Sequence, residues 1–169
     1  MCMRSSDNIH SVAANLVAAL EERAMTIATA ESCTGGAVAQ AITSVAGCSA
    51  VMRGGVVAYH NEVKSSVLGV PAEVIEAEGA VSEAVVREMV DGVSCIMSSD
   101  CAIATSGIAG PGGGTPEKPV GTVWMAVKCG GTVSTKKIQL CDAGRLQNVN
   151  NASFEALNFI YEVLVEGGK

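Results

Sequence analysis

The sequence predicts a layered α/β domain built on a mixed sheet. Helix-like and strand-like apolar periodicities alternate through the first two thirds of the chain, and two strand-like segments then adjoin near its end. The 169 residues are rich in Ala, Val and Gly with only 3% aromatics. Small side chains let helices lie close on a sheet. The length fits one domain covering 1–169, and neither an internal repeat nor a dividing linker interrupts it.

Over residues 7–23, Ile9, Val12, Ala13, Leu16, Val17 and Leu20 recur at helical spacing and predict a helix with one apolar stripe. Residues 26–30 form a short apolar run, read as a buried strand. Gly35 and Gly36 precede a small-residue helix, AVAQAIT. GGVVAY (54–59) reads as a strand, NEVKSSVLGV as a short helix, and Pro71 opens another around AEVIEAEG. Ser82 is placed to cap a longer helix over 83–97, with Val85, Met89, Val93 and Met97 on one side. Strands follow at 101–105, 122–128 and 132–140, the last two as a hairpin around Gly130–Gly131. A helix over about 146–165 closes the chain, turning Phe154, Leu157, Ile160, Tyr161 and Leu164 inward.

Composition excludes several functions. Seventeen acidic residues against eleven basic give a net charge of −6, with no basic run. A general nucleic-acid or anionic-membrane surface is not expected, although a local pocket for one phosphate is compatible with this balance. The seven cysteines are scattered without a C-x-x-C pair, which predicts mostly buried free thiols in a reducing cytoplasm. No segment approaches the ~20 continuous apolar residues of a membrane span, and the N-terminus has no signal core. His10 and His60 lack a thiol at ligand spacing, so neither a metal nor a cofactor is expected.

Four stretches could carry chemistry. Glu31-Ser32-Cys33-Thr34-Gly35-Gly36 sits at a strand-to-helix turn, where Ser32 or Thr34 is either a helix cap or, in the case of Ser32, a nucleophile beside outward-facing N–H groups. On chemistry alone Cys33 competes with Ser32 for that role. In GGVVAYHNEVK, Tyr59 falls at a strand end and Lys64 near the start of a helix. A lysine whose pKa is lowered can take a serine proton, while an ordinary lysine is a solvated surface group. His60 ranks below Lys64 because side chains alternate along a strand and His60 would point away from Tyr59. The loop SGIAGPGGGTPEKPVG (106–121) lacks both the P-loop and the dinucleotide fingerprint, but its glycines and prolines suit close approach of backbone to a ligand as well as a plain connection. Arg145, near the start of the last helix, is either a phosphate ligand or a solvated residue.

Taken in order, TAESCTGG, RGGVVAYHNEVK, LGVP, GAVSE and SGIAGPGGGTPEKPVGTVW resemble the C-terminal domain of the CinA family, over residues 8–165. The resemblance implies a three-layer α/β/α fold on a mixed, mostly parallel sheet, and a homodimer. It also implies a metal-free amidohydrolase that converts nicotinamide mononucleotide to nicotinate mononucleotide and ammonia. Carried over residue by residue, Ser32 matches the nucleophile, Lys64 its base and Tyr59 the active-site tyrosine. Ser106 stands where the family often has threonine. Gly107, Gly110, Gly112, Gly113 and Gly114 match the glycine-rich loop. Glu31, Cys33, Thr34, Gly35, Gly36 and Arg145 are the remaining substrate-site candidates. Longer family members carry a further domain linked to a pyrophosphatase activity, which is not expected here. At the last helix the family tends toward G-D-R-x-x-[VI]-R, and this chain has Ala143-Gly144-Arg145, then Asn148 and Val149.

These matches predict that Lys64 deprotonates Ser32, that N–H groups around Cys33 to Gly36 or in the glycine loop hold the oxyanion, that Tyr59 and Ser106 relay or hold protons, and that Arg145 takes the 5′-phosphate. The family's association with competence and DNA damage gives the alternative, a non-catalytic binding or assembly module.

Overall fold

A computed structural model describes residues 6–167. Helix α1 (Ser6–Glu22) leads into strand β1 (Ile27–Glu31), helix α2 (Ala37–Thr43) and strand β2 (Met52–Val57). Three helices follow, α3 (Asn61–Ser66), α4 (Ala72–Glu78) and α5 (Glu83–Met97). Strands β3 (Cys101–Gly107), β4 (Thr122–Cys129) and β5 (Thr132–Gln139) then lead to α6 (Arg145–Glu166). The sheet order is β2-β1-β3-β4-β5. β1 pairs in parallel with β2 and β3, and β4 pairs antiparallel with β3 and β5. Four of the five strands therefore point the same way, and the sheet is mixed as the sequence predicts.

The alternation of side chains along each strand divides the core into two unlike halves. Ile27, Ile103, Val123, Met125 and Val127 face the layer holding α1, α2 and α6, where they meet Leu16, Leu20, Leu157 and Ile160. The other face offers almost only methyl groups, from Ala28, Ala30, Ala102, Ala104 and Ala126. Val85, Val86, Met89, Val90 and Val93 of α5 lie on this flat surface. Ser82 caps α5, its hydroxyl accepting from the Val85 N–H.

Close packing continues on the outer side of α5. A Cβ built at Gly92 would stand 2.0 Å from the Leu68 carbonyl oxygen, so only glycine fits beneath the turn that follows α3.

Two expectations change. Strand β2 ends at Val57, so Tyr59 and His60 lie beyond it, and strand alternation does not govern where they point. The thiols are also less buried than expected. Cys33 and Cys101 are buried, Cys48 and Cys129 half-buried, and Cys95 and Cys141 exposed, all six free, while Cys2 lies outside the described residues. No helix among the described residues is long and apolar enough to cross a membrane.

Gly92→Ala separates packing from helix propensity. In an open helix the exchange stabilises by about 1 kcal/mol. Here the Leu68 carbonyl must move, and the variant is expected to lose about 2 kcal/mol or more in urea unfolding. A gain in stability would contradict this account of the α3–α5 contact.

Candidate active site

The parallel strands β1, β2 and β3 all end at one edge of the sheet, where chain reversals leave a crevice. β1 delivers Ser32, β3 delivers Ser106 and the glycine-rich loop, and β2 leads through Ala58 and Tyr59 to α3 and Lys64. The N-terminus of α6 closes the crevice with Arg145. The resulting cleft has a volume of about 260 Å³. Lys64 and Arg145 are the charged side chains on its wall, and no carboxylate lines it.

The turn after β1 is organised by Glu31. Its carboxylate is 1% exposed. Oε2 accepts from the N–H groups of Gly36 and Val38, both at 3.0 Å, and from the Thr34 hydroxyl at 2.6 Å. Oε1 accepts from the Ala39 N–H at 2.8 Å. The start of α2 is thus capped from outside, and a charged acceptor at a helix N-terminus is also favoured by the helix dipole. This corrects the expectation that Ser32 or Thr34 caps the helix. Thr34 donates to Glu31 or shares a hydrogen bond with Thr105 at 2.7 Å, and α2 begins only at Ala37. Gly36 (φ 101°) bends the chain into α2. Glu31, Thr34, Gly35 and Gly36 are therefore behind the cleft, where they hold the turn, and are not on its wall.

Ser32 is fixed by its backbone, whose N–H donates to the Thr105 carbonyl at 2.9 Å. Its Oγ is 3.1 Å from Lys64 Nζ. Lys64 is 1% exposed, and its Nζ also donates to the carbonyls of Ala58 (2.9 Å) and Tyr59 (3.2 Å). No carboxylate pairs with it among the described residues. Burial therefore pushes its pKa below the ordinary lysine value. A neutral amine has two N–H groups and one lone pair. In that form the two carbonyls can take the N–H groups, leaving the lone pair for the Ser32 O–H.

Cys33 differs sharply from its neighbour. Its side chain belongs to the core facing α1 and α6, and burial pushes its thiol up to about 12. A thiol in that state is a poor nucleophile near neutrality. His60 caps α3, its Nδ1 accepting from the Glu62 N–H at 3.3 Å, and takes no part in the Ser32–Lys64 contact.

The remaining candidates form the walls. Arg145 Nη1 donates to the Gly110 carbonyl at 2.6 Å, and Nη2 donates to the Tyr59 hydroxyl. These two bonds tie the last helix, the glycine loop and the segment after β2 together. Ser106 is buried and donates to the Ala80 carbonyl at 2.8 Å. Tyr59 and Ser106 thus line the cleft, and among the described residues their side chains bond to Arg145 and to the Ala80 carbonyl rather than to Ser32 or Lys64. Gly107, Gly110, Gly112 and Gly113 contribute backbone to its wall, and a Cβ at Gly107 would fall 2.7 Å from the Thr122 carbonyl oxygen.

Asn148 stands out in the sequence only as a departure from the family pattern at the last helix and not as a site candidate. It is 1% exposed, and its Nδ2 donates to the Ala109 carbonyl (3.0 Å) and to Asp142 Oδ1 (3.1 Å). Asp142 also accepts from the Gly144 N–H. Asp142 and Asn148 therefore brace the glycine loop against α6. The only sequence signal was an amide at an inward helical position.

Residues 9–164 match the CinA C-terminal domain family. The chain is 52% identical over 122 residues to a CinA-like protein of Gemmatimonas aurantiaca, covering 72% of this chain and 28% of that protein. It is 47% identical over 147 residues to a CinA-like protein of Cytophaga hutchinsonii, covering 87% and 35%. The chain thus spans about a third of the length of these relatives. The crystal structure of competence/damage inducible protein CihA from Agrobacterium tumefaciens superposes with a TM-score of 0.91 at 35% identity, covering 100% of both chains. A competence-damaged protein superfamily member from Klebsiella pneumoniae superposes at 0.90 with 37% identity, covering 94% of this chain and 98% of that one.

Removing the Glu31 carboxylate leaves three N–H groups and a buried hydroxyl without their acceptor. Glu31→Ala is expected to destabilise the fold by about 3 kcal/mol in chemical denaturation, and a change below about 1 kcal/mol would mean that α2 does not depend on this cap. Lys64 gives a pH signature. Between its lowered folded pKa and the ordinary 10.5, the unfolded chain holds a proton that the folded chain has shed. Stability attributable to this group therefore rises with pH through that window and is level below it. Unfolding of wild type and Lys64→Met followed from neutral to alkaline pH should show the rise in wild type only.

Proposed function

This chain belongs to the CinA C-terminal domain family, and from that premise we propose that it is an amidohydrolase releasing ammonia from nicotinamide mononucleotide, with Ser32 as nucleophile and Lys64 as base. The observation that carries this reading is the 3.1 Å contact between Ser32 Oγ and the Nζ of a buried lysine that lacks a carboxylate partner.

Lys64, neutral at rest, takes the Ser32 proton as Oγ bonds to the carboxamide carbon. Negative charge gathers on the amide oxygen. The N–H groups of Cys33 and Thr34 make no main-chain hydrogen bond and adjoin Ser32, which supports them as its donors. A donor of this kind contributes roughly 3–4 kcal/mol to transition-state stabilisation. Those of Gly35 and Gly36 are already taken, by the Ser32 carbonyl and by Glu31. The protonated Lys64 then returns its proton to the departing nitrogen, and the C–N bond breaks to give ammonia and an acyl-serine. Water adds to the ester carbonyl, giving its proton to Lys64. Ser32 leaves with that proton and the product is the carboxylate.

A cleft walled by the Arg145 guanidinium and open N–H groups, without an acidic side chain among the described residues, favours an anionic substrate. Arg145 retains donors beyond the two it spends on Gly110 and Tyr59, which supports it as the ligand of a substrate phosphate.

Ammonia release from nicotinamide mononucleotide, run beside nicotinamide and nicotinamide riboside, tests the reading. Release is expected from the mononucleotide alone. Ser32→Ala and Lys64→Ala should each lower the rate at least about a thousandfold, while Cys33→Ala should retain most of it. Activity that survives in Ser32→Ala and disappears in Cys33→Ala would overturn the assignment.

A further inference from the structure

Far from the cleft, at the other end of the sheet, β3 begins and β4 ends with a cysteine. Cys101 and Cys129 are direct partners across these antiparallel strands. The hydrogen bonds fix which kind of partner. The Gly130 N–H donates to the Asp100 carbonyl at 3.0 Å, and at the far end of the ladder the Ile108 N–H donates to the Thr122 carbonyl at 2.9 Å. Asp100–Gly130 and Ile108–Thr122 thus occupy hydrogen-bonded positions, and Cys101–Cys129, one residue inward, occupies a non-hydrogen-bonded one. Such pairs hold their Cα atoms about 4.5 Å apart with their side chains on one face of the sheet, and this spacing lies inside the range of about 4.4–6.8 Å that a disulfide spans.

The two thiols are not equivalent. Cys101 is fully buried in the core facing α1 and α6. Cys129 is half-buried and lines a depression of about 600 Å³ together with Arg23, Met25, Thr132, Ser134 and Val163. The two side chains stand beside each other on one face of the sheet. That contact, followed by burial, raises the pKa of Cys101, and the same contact lowers that of Cys129. The accessible sulfur is therefore the one favoured as thiolate, and the protonated one stands behind it.

We propose that Cys101 and Cys129 form a thiol–disulfide exchange site, in which Cys129 attacks a low-molecular-weight disulfide and Cys101 resolves the product into a cross-strand disulfide. With glutathione disulfide as the oxidant, the Cys129 thiolate bonds to one of its sulfurs, the S–S bond breaks, and one glutathione thiolate leaves. Cys101 then loses its proton and attacks Cys129 Sγ in the mixed disulfide, expelling the second glutathione. Two protein thiols are oxidised and one disulfide is reduced to two glutathione thiols. The site is independent of the deamidase reading, because neither sulfur reaches the cleft.

The test incubates the reduced, folded chain with excess glutathione disulfide, blocks remaining thiols with iodoacetamide and maps peptides without reduction. A cross-link between the peptides holding Cys101 and Cys129 is expected in wild type, and equally after Cys2, Cys95 and Cys141 are all replaced by serine. Cys101→Ala should instead trap a glutathione adduct on Cys129, and Cys129→Ser should yield neither product. Wild-type Cys129 recovered only as its alkylated form, or cross-linked to any cysteine other than Cys101, would overturn the proposal, and the wild-type mapping decides this even if a variant fails to fold.

Discussion

A lysine amine held out of water with no carboxylate to pair with is the constraint on which this site turns. Burying a charge alone costs several kcal/mol, and this lowers the pKa of the amine. The geometry around Lys64 suits the neutral amine. With the amine neutral, the Ala58 and Tyr59 carbonyls can take its two N–H groups, which leaves its lone pair for Ser32. The same burial has the opposite consequence next door, where it keeps the Cys33 thiol protonated. One low-dielectric pocket thus lowers the pKa of the amine and raises that of the thiol.

The fold makes this burial possible. Lys64 belongs to a six-residue helix that could not hold its place alone. It is held by the segment after β2, which hydrogen-bonds back to β1 through the Ala58 N–H and the Glu31 carbonyl. Glu31 in turn secures α2 with its side chain, so one residue fixes both segments that flank Ser32. The alanine-rich face of the sheet brings α5 close, and Arg145 and Asn148 draw the glycine loop to the start of α6. Each wall of the cleft is anchored by a different layer, and the reacting pair sits where the layers meet.

Most elements were legible because their periodicity is strong. The α5 span over 83–97 and its Ser82 cap follow from an apolar stripe and one hydroxyl. The hairpin follows from two glycines between alternating runs. What was not legible depended on long-range contacts. Glu31 looked like a turn residue, since nothing local says that its carboxylate reaches N–H groups five, seven and eight residues on. His60 and Tyr59 looked like strand residues because GGVVAY continues the apolar run, yet the strand ends at Val57 and His60 caps the next helix. The roles of Asn148 and of the Cys101–Cys129 pair depend on strand register and helix docking, which no sequence window contains. Ser32 and Lys64 were singled out through family motifs, while their residue types alone favoured a cap and a surface lysine.

The measurement that bears most directly on the account is an NMR titration of the Lys64 side chain, assigned by comparison with Lys64→Arg. The account predicts that Nζ and Cε report a neutral amine through a range where the other lysines remain charged, with a midpoint clearly below 10.5. A Lys64 that titrates together with the surface lysines would show a charged amine facing Ser32, and Lys64 could not then be its base.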